Sequence, residues 1–157
     1  MPNDMIENIK PKFQIIKKRY NKIVILIDKS LKSKNPHDLS KIKAGINDYI
    51  KQMVNDNDLI GVIHFENNAD IVVPMTLASD QQTRQRIYEK VIPKTSVNSK
   101  NSNIYNALSL GLILIQSTQD KRHTNFEPSG GRIVLITNSK ADLNYPNRKF
   151  IVNDVIK

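Results

Sequence analysis

At 157 residues, with 39% hydrophobic and 25% charged, the chain can build one hydrophobic core but not two, and it is too apolar to remain disordered. Its lack of cysteine excludes a disulfide framework, a thiolate metal site and a cysteine nucleophile. The net charge of +9 suits a polyanionic partner, but Lys (18) far outnumbers Arg (6), aromatics are only 6%, and the Lys, Asn and Ile excess fits AT-rich coding, so no nucleic-acid partner is expected.

The first 21 residues form a basic approach segment carrying Lys10, Lys12, Lys17, Lys18 and Arg19, the last three read as a solvated face. They lack the apolar stretch of a secretory leader. Ile23–Ile27 follows, an unbroken and mostly β-branched run of the kind found in strands covered on both faces. It and Leu112–Ile115 are the longest apolar runs, far too short to span a membrane. The strand stops at Asp28, and 28–35 reads as a polar loop. Asn35 as N-cap, Pro36 at the first helical position and Asp38 in the first turn then start a helix. Leu39, Ile42, Ile46, Tyr49, Ile50 and Met53 give it a single apolar stripe.

Leu59–Phe65 reads as a second buried strand and Ala69–Leu77 as a third. The Glu66-Asn67-Asn68 turn between them is too short for a parallel crossover, so the pair is antiparallel. Pro74 places the third strand at an edge. Ser79 and Gln82 form a capping box for a helix running to about Val91. Residues 93–103 are a polar loop, Ile104–Ser117 a well-buried helix, and 119–131 a second long loop. Arg132–Thr137 is a fourth strand, 138–147 a loop and 148–156 a short helix. The order β-α-β-β-α-α-β-α predicts an α/β layer with a mostly parallel sheet. Ligands of such sheets bind beyond the carboxyl ends of the strands, where loops 28–35, 93–103 and 138–147 lie.

No enzyme signature occupies those loops. There is no Gly-x-Ser-x-Gly elbow, phosphate loop or His-Glu-x-x-His helix. Asp28-Lys29-Ser30 lacks the second aspartate of an aspartyl-phosphate hydrolase. Ser129-Gly130-Gly131 precedes a strand and so cannot open a dinucleotide-binding helix. His37, His64 and His123 have no ligand spacing, and His64, alternating with apolar neighbours, reads as structural.

Asp28-Lys29-Ser30-Leu31-Lys32 after the first strand, Ser102-Asn103-Ile104-Tyr105-Asn106-Ala107-Leu108 at the start of the buried helix, and Arg132-Ile133-Val134-Leu135-Ile136-Thr137-Asn138 resemble a von Willebrand factor type A domain. Asp58–Phe65 resembles that family's second strand. Lys10-Pro11-Lys12-Phe13 and the Gly61–Phe65 hairpin are most similar to the calcium-activated chloride channel regulator group. The resemblance covers roughly residues 10–157, with the domain proper at 22–157. It implies a Rossmann-like α/β fold with strand order 3-2-1-4, an antiparallel edge, and an incomplete C-terminal side. The family sheet continues past its fourth strand, so Arg132–Thr137 is expected at an exposed edge through which the chain could self-associate. It also implies a non-enzymatic, adhesion-type module that binds a protein ligand at the top of the sheet. A regulator-like parent would place it outside the cell or at its surface.

In that family the three motifs form a metal-ion-dependent adhesion site, usually for Mg²⁺. Asp28 and Ser30 match its ligands, and Ser102 stands for Thr, which keeps a hard oxygen. Lys32 replaces the second Ser and Asn138 replaces the second Asp. The formal charge at the site rises from about −2 to about 0. A hard cation loses its electrostatic reason to bind, and Lys32 could itself pair with Asp28. Asp142 carries the next carboxylate, at the wrong spacing. The resemblance therefore implies a degenerate site with little or no Mg²⁺. The alternatives are a working Mg²⁺-dependent site and a basic nucleic-acid-binding domain.

Overall fold

A computed structural model of the chain describes residues 17–33, 35–94, 102–119, 122 and 125–137. Strand β1 (Lys18–Asp28) pairs in parallel with β2 (Leu59–Phe65) and with β4 (Phe126–Ile136), while β3 (Ala69–Leu77) pairs antiparallel with β2. The sheet order is 3-2-1-4, as expected from the sequence.

The apolar run of β1 stands at the centre of this sheet because both its faces are covered. Ile23, Ile25 and Ile27 pack with Ile60 and Val62 against helices α1 (Pro36–Asp48) and α2 (Gln81–Val91). Val24 and Leu26 pack with Ile63 and Phe65 against α3 (Ile104–Ser117). Each such side chain, taken fully out of water, contributes about 2 kcal/mol. A Cβ on Gly61 would stand 2.8 Å from Sδ of Met75 on β3 and 3.0 Å from Cδ2 of Leu114 on α3. A larger residue at Gly61 would have to displace the ends of these two side chains.

Local chemistry sets the helix ends. Asn35 caps α1 as expected, its Oδ1 accepting from Asp38 N–H at 2.9 Å. Helix α1 then widens into a single π turn, Tyr49–Met53. The carbonyls left open there are met by Arg84 of α2, which is 3% exposed. Its guanidinium donates to Ile50 O and Lys51 O at 3.2 Å, to Ala78 O at 3.1 Å and to Asp56 Oδ1 at 2.7 Å.

Several sequence expectations are corrected. The cap of α2 is Asp80, not Ser79: Thr83 N–H donates to Asp80 Oδ1 at 2.7 Å, and a carboxylate outcompetes a hydroxyl for a helix N–H. Residues Lys29–Ser33 are a 3₁₀ turn within the expected polar loop. Strand β1 begins at Lys18 and β4 at Phe126, five and six residues before the starts expected at Ile23 and Arg132. Lys18–Tyr20 pairs with Phe126–Pro128 across a register shift at Tyr20/Asn21, so cross-strand pairing makes strand out of segments with no strand pattern of their own. Thr137 follows β4 instead of ending it. The expected loop 138–147 and helix 148–156 lie outside the described residues.

Both sheet edges match the sequence reading. Strand β3, with Pro74, forms one edge. Strand β4 forms the other, with no strand on its outer side among the described residues. Leu135 on β4 is 38% exposed. Between α1 and β4 an apolar groove of about 330 Å³ is lined by Ile25, Ile42, Ile46, Tyr49, Val134 and Ile136.

Candidate functional site

Three segments meet at the carboxyl end of β1. Asp28 closes the strand with no exposed surface. The 3₁₀ turn folds the chain back at once, so that Ser30 N–H and Ser30 Oγ–H both donate to Asp28 Oδ1, at 2.9 and 2.7 Å. Ser102, from the segment before α3, donates its hydroxyl to the same oxygen at 2.8 Å. Thr137, the residue after β4, donates to Asp28 Oδ2 at 2.6 Å. The 109 positions between Asp28 and Thr137 are bridged because parallel strands end on the same side: Ile27 is level with Ile136, which puts Thr137 level with Asp28.

The Ser102 segment is itself held in place. Asn103 N–H donates to Glu66 O at 2.6 Å in the β2–β3 turn. Asn103 Oδ1 caps α3 by accepting from Asn106 N–H at 3.1 Å. Asn106 Nδ2 donates to Asn67 O at 3.0 Å. The Ser102 hydroxyl is thereby positioned by a helix cap and a hairpin.

Burial pushes the Asp28 carboxyl up, but the hydrogen bonds from Thr137, Ser30 and Ser102 outweigh it and hold the group below the usual carboxylate range. Lys29, next in sequence, turns to Glu66 and Asp70 at 4.0 and 3.9 Å. The donor set among the described residues is one carboxylate and three hydroxyls. These are hard oxygens of the kind Mg²⁺ takes, with a single negative charge between them. No group of three or more His, Asp or Glu side chains that could hold a metal occurs among the described residues.

The structure thus brings Asp28, Ser30 and Ser102 together. The Lys32 backbone lies in the 3₁₀ turn, but its side chain, Asn138 and Asp142 lie outside the described part. Thr137 was not singled out from sequence. No sequence signal marks it: the register that brings the residue after the fourth strand level with the aspartate ending the first is set by the pairing of β1 with β4. His64 is buried, with Nε2–H donating to Val91 O at 2.7 Å, and burial lowers its pKa. Lys17, Lys18 and Arg19 are exposed.

Residues 23–140 match the von Willebrand factor type A domain family, and the chain belongs to it. Among solved structures, it is similar to proximal thread matrix protein 1 from the mussel byssus (TM-score 0.62, 14% identity, 89% of this chain and 36% of that one). The structure of the same mussel protein with a zinc-occupied adhesion-site motif matches with TM-score 0.59 and 13% identity over 88% of this chain and 37% of that one. The SpRpn10 VWA domain matches with TM-score 0.55 and 15% identity over 85% of this chain and 68% of that one. The chain therefore spans about a third of the mussel protein. At these identities the likeness is one of fold. No curated protein matches the chain. Domains of this family are generally non-enzymatic protein-interaction modules. Among the described residues no helix is long and apolar enough to cross a membrane.

Proposed function

We propose that this chain is a non-enzymatic interaction module that binds a protein partner at the carboxyl end of its sheet, through an adhesion site that has largely lost its metal. The observation that supports this most strongly is the state of Asp28. Among the described residues it is the single carboxylate of a cluster whose other members, Ser30, Ser102 and Thr137, are neutral hydroxyls donating to it, so the cluster offers a cation hard oxygens but only one negative charge. In this reading Lys32 and Asn138 remove the charge that would favour a metal. Asp28, Ser30 and Ser102 would be the residues to hold Mg²⁺ if any bound, and its part would be to accept a partner's carboxylate. A parent protein similar to the calcium-activated chloride channel regulators fits the N-terminal motif, Lys10-Pro11-Lys12-Phe13, and would place the module at the cell surface.

Retention of partners on the immobilised chain tests this reading against its two rivals. Protein partners should be held equally well in Mg²⁺ and in EDTA. They should be lost with Asn67→Arg, an exposed position beside the Ser102 segment, and kept with the charge-matched Gln81→Arg at the opposite end of the sheet. Retention that requires Mg²⁺ would establish the working-site alternative. Displacement of the partners by nucleic acid, with a steep salt dependence, would establish the nucleic-acid one.

A further inference from the structure

A second feature opens at the same end of the sheet, on the α2 side. It is a pocket of about 360 Å³ lined by His64, Val72, Lys90, Ile92 and Lys94. The β1–β2 register sets His64 level with Ile27, one residue from the level of Asp28, so the pocket opens at the same end of the sheet but on its other face, and it shares no residue with the hydroxyl cluster.

The pocket has a defined chemistry. His64, 8% exposed, is held by Nε2–H donating to Val91 O at 2.7 Å; a carbonyl only accepts, which fixes the tautomer. Burial lowers the pKa of the ring and Lys29 adds to the lowering, against the hydrogen bonds with the Val91 and Lys90 backbone and the Asp70 charge, so the site favours the neutral imidazole. The charge of the lining therefore comes from Lys90, in the last turn of α2, and from Lys94 just beyond it. None of the described lining residues is acidic. The nearby acids, Glu66 and Asp70, lie against Lys29. Val72 and Ile92 supply apolar walls that suit a short aliphatic stem.

We propose that this pocket receives a carboxylate side chain from an acidic segment of the protein partner, with Lys90 and Lys94 as its charged contacts and Val72 and Ile92 packed on its methylenes. The proposal rests on this end of the sheet being the protein-binding end. It does not depend on whether a metal sits at Asp28.

A fluorescein-labelled hexaglutamate peptide is the probe, followed by fluorescence polarisation at about 50 mM salt, where surface charge is only partly screened. Lys90→Ala combined with Lys94→Ala should weaken binding about tenfold, two charge contacts at their usual worth. Lys41→Ala with Lys43→Ala on α1, which removes the same charge elsewhere, should change it less than about twofold. The His64 ring protons should shift on peptide addition. Melting temperatures of both variants should stay within about 3 °C of the parent, since Lys41, Lys90 and Lys94 are exposed and Lys43 is half-buried.

Equal loss in the two variants would overturn the proposal in favour of diffuse attraction to a basic protein. Competition by inorganic phosphate as strong as that of the peptide would reduce the pocket to a small-anion site. Tighter binding of an oligothymidylate with the same Lys90 and Lys94 dependence would replace the peptide with nucleic acid. Partners retained in EDTA yet indifferent to Lys90 and Lys94 would overturn the pocket alone and leave the interaction reading standing.

Discussion

Asp28→Ala is expected to lower the melting temperature by about 9 °C. The substitution removes the acceptor shared by Ser30 N–H and the hydroxyls of Ser30, Ser102 and Thr137, all at a fully buried position. The hydroxyls can rotate to other acceptors, but the backbone N–H cannot. The net loss is about 3 kcal/mol, and a chain of this size gives up roughly 3 °C per kcal/mol. Asp28→Asn, which keeps one acceptor oxygen and sets an amide against a hydroxyl donor, should lose about half as much.

The same carboxylate has a pH signature. Its folded pKa lies below its unfolded value, near 4, because the hydrogen bonds outweigh burial. Its contribution is therefore fully present above about pH 4 and is lost as pH falls through the lower, folded value. Melting temperatures of parent and Asp28→Ala should differ by a constant amount from neutral pH down to about pH 5 and converge below about pH 4. A gap that persists unchanged into strong acid would show that the carboxylate is not what these donors hold.

The second large effect is expected at Arg84. Arg84→Ala strips donors from the carbonyls of Ile50, Lys51 and Ala78 and leaves a cavity between α1 and α2. Asp56 is 80% exposed and loses little. The expected cost is about 3 kcal/mol, which moves the urea midpoint down by about 1.5 M with an unchanged slope. Arg84→Lys should recover less than a third of this, because an ammonium on a flexible stem cannot reproduce a planar fork spread over several acceptors. A midpoint within about 0.3 M of the parent would mean that the π turn satisfies its own carbonyls.

These two residues illustrate how unevenly the molecule is written in its sequence. The central strand was legible because burial on both faces leaves an unbroken β-branched run. The antiparallel edge was legible because a three-residue turn allows nothing else. Asp28, Ser30 and Ser102 were legible as a set only through the family resemblance, since no spacing rule joins positions 28 and 102; the parallel sheet does that. Thr137 depends on register, which is set by contacts between distant segments. Arg84 has no sequence signal. An arginine three residues into an amphipathic helix reads as solvent-facing until the π turn of the preceding helix is seen to need donors. The early starts of β1 and β4 were hidden for a related reason. Lys18–Asn21 and Phe126–Gly131 become strand by pairing with each other, and Gly130 and Gly131 argue locally against it.

The most direct test of the degenerate site is a calorimetric titration with MgCl₂ of the chain and of its Lys32→Ser, Asn138→Asp double variant. The substitutions restore the second hydroxyl and the second carboxylate of the family pattern and move the formal charge from about 0 back to about −2. The unmodified chain should give no saturable heat up to about 5 mM Mg²⁺, and the double variant should bind within that range. Saturable binding by the unmodified chain at micromolar Mg²⁺ would contradict the account and establish a working metal site on Asp28, Ser30 and Ser102.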